Sequence, residues 1–124
     1  MQALIVDDSR TIRKILATML HTMGFQIIEA ADGSEALSYL KQQQPPDVAL
    51  IDWHMPAMDG IDLIRHMRQN AAWSKVRIVM VTREADLEHI QIALDAGADE
   101  YVMKPFDADV IHDKMSLLGL IQIP

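Results

Sequence analysis

Five polar groups in this sequence stand where short apolar runs end. Ala3-Leu-Ile-Val6 runs into Asp7 and Asp8, Val48-Ala-Leu-Ile51 into Asp52, Val76-Arg-Ile-Val-Met-Val81 into Thr82, and the brief Glu100-Tyr-Val-Met103 into Lys104. Runs of this length read as strands, so all these groups belong at the carboxyl ends of strands. In an open parallel sheet that edge is where ligands bind. Two unit charges about 4 Å apart repel by about 4 kcal/mol at an effective dielectric of 20, so three clustered carboxylates call for a cation. Mg²⁺ fits, because it takes one or two carboxylates, keeps several waters and leaves positions for phosphate oxygens. A carboxylate at such a centre, here Asp52, can attack phosphorus in line as aspartyl-phosphate chemistry requires. The metal, the Lys104 ammonium and the Thr82 hydroxyl would each take one equatorial oxygen of the transferred group.

The elements that must position these groups alternate along the chain. Ser9 is an N-cap, and Ile12, Ile15, Leu16, Met19, Leu20 and Met23 then recur at helical spacing up to the stop at Gly24. A second strand is expected over Phe25–Ile28 and a helix over Ser34–Gln43, closed by Pro45-Pro46. After Asp52, Pro56 and Gly60 break the chain before a third helix over Ile61–Gln69. A fourth helix is expected from Ala85 to Ala96, stopped by Gly97, and a fifth from about Asp107 to Leu118. Five strands alternating with five helices imply an α/β three-layer sandwich with a five-stranded parallel sheet. Strand two ends in Glu29-Ala-Ala and offers nothing comparable to the cluster. Its end is expected to lie away from it, at the sheet margin.

Bulk properties narrow the classes. A chain of 124 residues suits a single domain spanning 1–124 and buries roughly two thirds of its unfolded surface. With no cysteine, disulfides and thiolate metal sites are excluded. No apolar run approaches the roughly 18 residues a membrane span needs, and the N-terminal stretch is too short and too acidic for a signal peptide, so a cytoplasmic protein is expected. A net charge of −7 argues against direct nucleic-acid binding, which needs clustered Lys and Arg.

Taken singly, each residue has a plainer reading. Asp52 could cap the next turn, Thr82 could be a β-branched strand end, Lys104 a solvated charge and Tyr101 a half-buried strand aromatic. Met19, Met23, Met67 and Met80 read as core filler, and His21, His66, His89 and His112 as helix-surface residues without metal spacing. Coincidence of these residue types on one edge is what favours chemistry over the separate readings.

The pattern Val6-Asp-Asp-Ser9, Asp52-x-x-Met55-Pro56 with Gly60, Val81-Thr82 and Lys104-Pro105 resembles the response-regulator receiver domain along essentially the whole chain. Asp52-Trp53 followed by Met55-Pro56, with Tyr101 three residues before Lys104, is most similar to the stand-alone, CheY-type chemotaxis regulators. The resemblance implies a flavodoxin-like, CheY-like sheet with strand order 2-1-3-4-5, an order taken from that family.

The same resemblance implies roles. Asp52 would accept a phosphoryl group from a histidine kinase or phosphotransfer protein, with Asp7, Asp8, Asp52 and the His54 backbone carbonyl as ligands of Mg²⁺. Lys104 would contact the phosphoryl group, and the Lys104–Pro105 peptide bond would be cis. Thr82 and Tyr101 would form a switch pair: Thr82 is drawn toward the added charge and leaves space for Tyr101 to turn, which changes the helix 4, strand 5 and helix 5 face toward a downstream protein target. His54 and Glu84 occupy the two positions that tune the lifetime of the phosphoryl group. Arg83 stands where the family usually has a small residue, its cation shading the acceptor or answering its charge. Such a protein would be a monomer or a phosphorylation-dependent dimer, and no enzyme beyond its own phosphorylation and dephosphorylation. An aspartate-nucleophile phosphatase would want a second Asp two residues after the first, where His54 stands. A phosphorylation-independent binding module would often have lost one of the acids or the Lys. A receiver belonging to a longer protein with an output domain remains an alternative.

Overall fold

A computed structural model describes residues 1–122. Among them run β1 (Gln2–Val6), α1 (Arg10–Thr22), β2 (Gln26–Ala30), α2 (Gly33–Gln42), β3 (Val48–Asp52), α3 (Gly60–Gln69), a single 3₁₀ turn (Ala71–Trp73), β4 (Arg77–Thr82), α4 (Leu87–Ala96), β5 (Glu100–Met103) and α5 (Ala108–Leu117). The strands form one parallel sheet in the order β2-β1-β3-β4-β5. This is the fold class and order that the resemblance implied.

Alternation along the strands sorts the core into two layers. Ala3, Ile5, Val48, Leu50, Val79, Val81 and Val102 pack with Leu16 and Leu20 of α1 and Ile111 and Met115 of α5. Their neighbours Leu4, Val6, Ala49, Ile51, Ile78 and Met80 pack with Ala36 and Leu40 of α2, Ile64 and Met67 of α3, and Ala93 of α4. Successive side chains of a strand point to opposite faces, so each apolar run supplies both layers at once. That is why the sequence shows continuous apolar runs, not alternating ones.

Helix starts explain part of the acidic charge. Ser9 caps α1, but Asp32, Asp59, Asp86 and Asp107 cap the other four helices, each accepting a bond from a backbone N–H three residues on. The Asp86 cap corrects the expected start of α4 at Ala85. Its side chain takes the His89 N–H, so residues 83–86 stay a loop and the helix opens at Leu87. Strand two lies slightly later than expected, because parallel pairing with β1 carries it on to Ala30 opposite Val6. The 3₁₀ turn was not legible at all. It is started by the Asn70 side chain, which accepts from Ala72 N, and it buries Trp73.

Candidate functional site

Register decides which groups meet. Val6 pairs with Ile51, Asp52 with Val81, and Thr82 with Met103. Asp7 therefore follows β1 level with Asp52, and Lys104 follows β5 one step beyond Thr82, to whose carbonyl its N–H donates at 2.8 Å. Face matters too. By the period-2 rule Asp7, Asp52 and Lys104 share the α1/α5 face with Ile5, Leu50 and Val102, whereas Thr82, Tyr101 and Trp53 share the other. Contacts agree: Trp53 and Tyr101 pack with the α2/α3/α4 layer, and the Lys104 ammonium reaches Asp7 Oδ2 at 2.8 Å and Asp52 Oδ1 at 3.3 Å.

The result is a cleft of about 330 Å³ lined by Asp7, Asp8, Asp52, Thr82 and Lys104, with His54, Arg83 and Glu84 at its rim. Asp7 and Thr82 are fully buried, Asp52 is 8% exposed, and Asp8 faces solvent. One carboxylate oxygen from each of Asp7, Asp8 and Asp52 lies within 4.8 Å of the others. Burial, and after it the Asp7 carboxylate, push the Asp52 carboxyl up from its ordinary range, while Lys104 pulls against both. One ammonium thus faces three carboxylates, and the cluster remains short of positive charge.

The loop after β3 is held tightly. Gly60 N–H donates to the Trp53 carbonyl at 2.7 Å, and a Cβ at Gly60 would run into the carbonyl oxygen of Asp52. Only glycine lets α3 start this close to the strand that carries Asp52. Across the cleft mouth His54 Nε2 and Glu84 Oε1 pair at 3.0 Å. Arg83 is exposed and forms no ion pair among the described residues. The Lys104–Pro105 peptide bond is cis. Tyr101 does not line the cleft: half-buried, it donates its hydroxyl to the Glu84 carbonyl at 2.6 Å. Thr82 Oγ1 accepts from the Glu84 N–H at 3.4 Å, so Glu84 is the residue that links Thr82 to Tyr101.

Comparison with known proteins settles the family. The model of the response regulator receiver domain matches residues 3–116. The chain belongs to the response regulator receiver domain family. Chemotaxis protein CheY1 of Helicobacter pylori is 34% identical over 119 residues, covering 95% of this receiver and 96% of that protein. A chemotaxis CheY homolog of Campylobacter jejuni is 35% identical over 116 residues, covering 93% and 89%. Among solved structures, chemotaxis response regulator CheY4 of Vibrio cholerae superposes with a TM-score of 0.88 at 30% identity, over 94% of this receiver and 97% of that chain.

Two features of this receiver escaped the sequence. His89, expected on a helix surface, packs edge-on against Trp53 (ring centroids 5.0 Å apart, planes at 67°) and bonds Asp86 through Nδ1, with Glu84 Oε2 at 3.7 Å from Nε2. The Asp86 bond raises the His89 pKa, and Glu84 and Glu88 add to the effect. An Asp-x-x-His spacing at a helix start was the available signal. The second concerns strand two, whose end lies at the sheet margin and outside the cleft, as expected. From there its Glu29 holds Arg13, whose guanidinium donates to the Asp7 backbone carbonyl.

Proposed function

We propose that this receiver takes a phosphoryl group onto Asp52 from a phosphohistidine of a kinase or phosphotransfer protein, in a reaction that needs Mg²⁺. The observation that carries the reading is the buried Asp52 carboxylate with Lys104 Nζ at 3.3 Å and the Asp7–Asp8 pair beside it. An all-oxygen donor set with net negative charge suits a hard divalent ion, with Asp7, Asp8, Asp52 and the His54 carbonyl as its protein ligands. Bound there, Mg²⁺ would neutralise charge on the phosphoryl oxygens. Asp52 supplies the attacking oxygen: the new O–P bond forms as the P–N bond to the donor imidazole breaks, and the electron pair returns to that nitrogen. Lys104 and Thr82 orient the transferred group.

On this reading the protein's catalysis is confined to its own phosphorylation and dephosphorylation. His54, Arg83 and Glu84 crowd the approach of water and so set the phosphoryl lifetime; slower or faster decay in His54→Asn and Arg83→Ala is expected, and unchanged decay in both would sink that role. The relatives are chemotaxis proteins, and we carry over the same kind of work in the cytoplasm: a kinase upstream, and a downstream protein target on the α4/β5/α5 face. Among the described residues no helix is long and apolar enough to cross a membrane.

The test is incubation with Mg²⁺ and acetyl phosphate, followed by mass spectrometry. Wild type should gain one phosphoryl group and Asp52→Asn none. No gain in wild type, or a gain that survives the substitution, overturns the reading.

A further inference from the structure

Asp7 is held at every polar atom. Its N–H donates to the Ala30 carbonyl at 3.2 Å, Oδ1 accepts from the Ser9 N–H at 2.9 Å, and Oδ2 accepts from Lys104. Its backbone carbonyl accepts from Arg13 Nη1 at 2.7 Å. That carbonyl belongs to the peptide joining Asp7 to Asp8, so the guanidinium fixes the plane from which Asp8 projects. Arg13 is itself anchored. Its Nε pairs with Glu29 Oε1 at 3.2 Å, Lys14 Nζ takes Glu29 Oε2 at 2.8 Å, and the Arg13 side chain is only 15% exposed. Lys14 first and Arg13 after it hold the Glu29 carboxyl below its ordinary range, as expected of a charged strut.

We infer that Arg13, braced by Glu29 of β2, is a positioning residue for the Asp7–Asp8 pair and sets how tightly the acidic edge takes a divalent cation. The inference rests on the cation-dependent reading of that edge. Geometry requires arginine. A planar fork can reach a carbonyl with one nitrogen and a carboxylate with another, whereas a lysine ammonium is a point charge on a flexible stem. Sign separates positioning from bulk electrostatics. Removing a cation near an anionic site should tighten Mg²⁺ binding by plain Coulomb attraction, whereas releasing the peptide plane should weaken it.

The experiment is calorimetric titration of the full chain with Mg²⁺, on wild type, Arg13→Met, Arg13→Lys and Glu29→Gln, each shown to be folded by circular dichroism. Outer partners of metal ligands typically matter by about tenfold or more in affinity. About tenfold weaker binding is expected in Arg13→Met, a smaller loss in Glu29→Gln, and no full recovery in Arg13→Lys despite its retained charge. The Asp8 amide resonance should shift in the same variants. If Arg13→Met does not fold, Arg13→Lys carries the test, because its charge is retained and weaker binding then reports lost positioning; Glu29→Gln, where lost negative charge would also weaken binding, only corroborates it. A lowered melting temperature with unchanged or tighter Mg²⁺ binding overturns the inference and leaves the proposed function standing. Absence of Mg²⁺ binding in wild type overturns both.

Discussion

The Tyr101 hydroxyl donates to the backbone carbonyl of Glu84 at 2.6 Å, while the N–H of the same Glu84 approaches Thr82 Oγ1 at 3.4 Å. The loop between β4 and α4 is therefore tied both to Thr82, which lines the cleft with Asp52, and to the aromatic ring of Tyr101. Any pull on Thr82 is felt by the residue that anchors Tyr101. In this structure the Tyr101 ring is anchored on that loop, so a turn of the ring must break its bond to the Glu84 carbonyl.

The anchor has a spectroscopic signature. Burial, followed by the Glu84 and Asp86 carboxylates, raises the Tyr101 pKa to about 12. With a folded value above the ordinary one of 10.0, its contribution to stability is complete below pH 10 and lost as pH rises through about 12. Absorbance titration of wild type minus Tyr101→Phe should show phenolate forming near 12. The substitution should cost about 1 kcal/mol at neutral pH by chemical denaturation, the usual worth of one hydrogen bond. A difference titration centred at 10 would refute the anchor.

Lys104 compensates charge before any metal arrives. Deleting one member of a buried pair leaves an uncompensated charge and costs about 3–5 kcal/mol. Partial access of water through the cleft reduces this, so Lys104→Met should lose about 3 kcal/mol in EDTA. Saturating Mg²⁺ should recover more melting temperature in the variant than it adds to wild type, because the ion takes over the same duty. Equal Mg²⁺ shifts in the two proteins would separate the lysine from the cation site.

Asp52 should be the opposite case. Its pKa is raised in the fold, so its stability contribution is present below the ordinary value of 3.8 and is lost as pH rises through the raised one. At neutral pH without divalent ions its charge is a burden, since Asp7 repels it and Lys104 is shared. Asp52→Asn should therefore gain on the order of 1 kcal/mol, about 4 °C in melting temperature for a chain of this size. The gain should shrink as pH falls toward the raised pKa. Calorimetry in EDTA checks both, and a destabilised variant at neutral pH would contradict the electrostatic account.

Which parts of this site could be read from residue types follows from where the information lies. Asp7, Asp52, Thr82 and Lys104 were legible because an apolar run of strand length ends on a polar residue, a local signal. Their convergence was legible once alternation implied a parallel sheet, since every strand then ends on the same edge. The Arg13–Glu29 strut was not. It joins a helix to a strand 16 residues on, through side chains that singly read as solvated charges, and only register brings them together. The α4 start was misplaced for a local reason: Ala85 favours helix, but Asp86 accepts the His89 N–H, and a cap outweighs the propensity of one alanine.

That same cap makes His89 a reporter. Its bond to Asp86 is the first cause of its raised pKa, and of the lowered pKa of Asp86. For a histidine with a raised folded value, the associated stability is complete below about 6.5 and lost as pH rises through the folded pKa. Asp86→Asn should bring the His89 midpoint down toward 6.5 in an NMR titration. Trp53, whose ring His89 meets edge-on, should report the same midpoint through its indole resonance. An unmoved midpoint would assign the shift to Glu84 and Glu88 instead.

Gly60→Ala sets two effects of opposite sign against each other. Within a helix the change from glycine to alanine ordinarily gains about 1 kcal/mol, because glycine loses more backbone freedom on folding. Here the new Cβ would collide with the Asp52 carbonyl oxygen and stand 3.1 Å from Ile51 Cγ2. The carbonyl is fixed in the β3 backbone, so the first turn of α3 must move instead, and with it the 2.7 Å bond from Gly60 N–H to the Trp53 carbonyl. Forcing extra atoms into a packed site costs typically 1–3 kcal/mol, and this clash is with backbone, which gives less than a side chain does. The clash wins: a net loss of about 2 kcal/mol is expected, roughly 8 °C in melting temperature. Because the disturbed bond holds the residue directly after Asp52, the rate of modification by acetyl phosphate should drop as well. A stabilised Gly60→Ala protein would mean that α3 can retreat from β3 without disturbing Asp52.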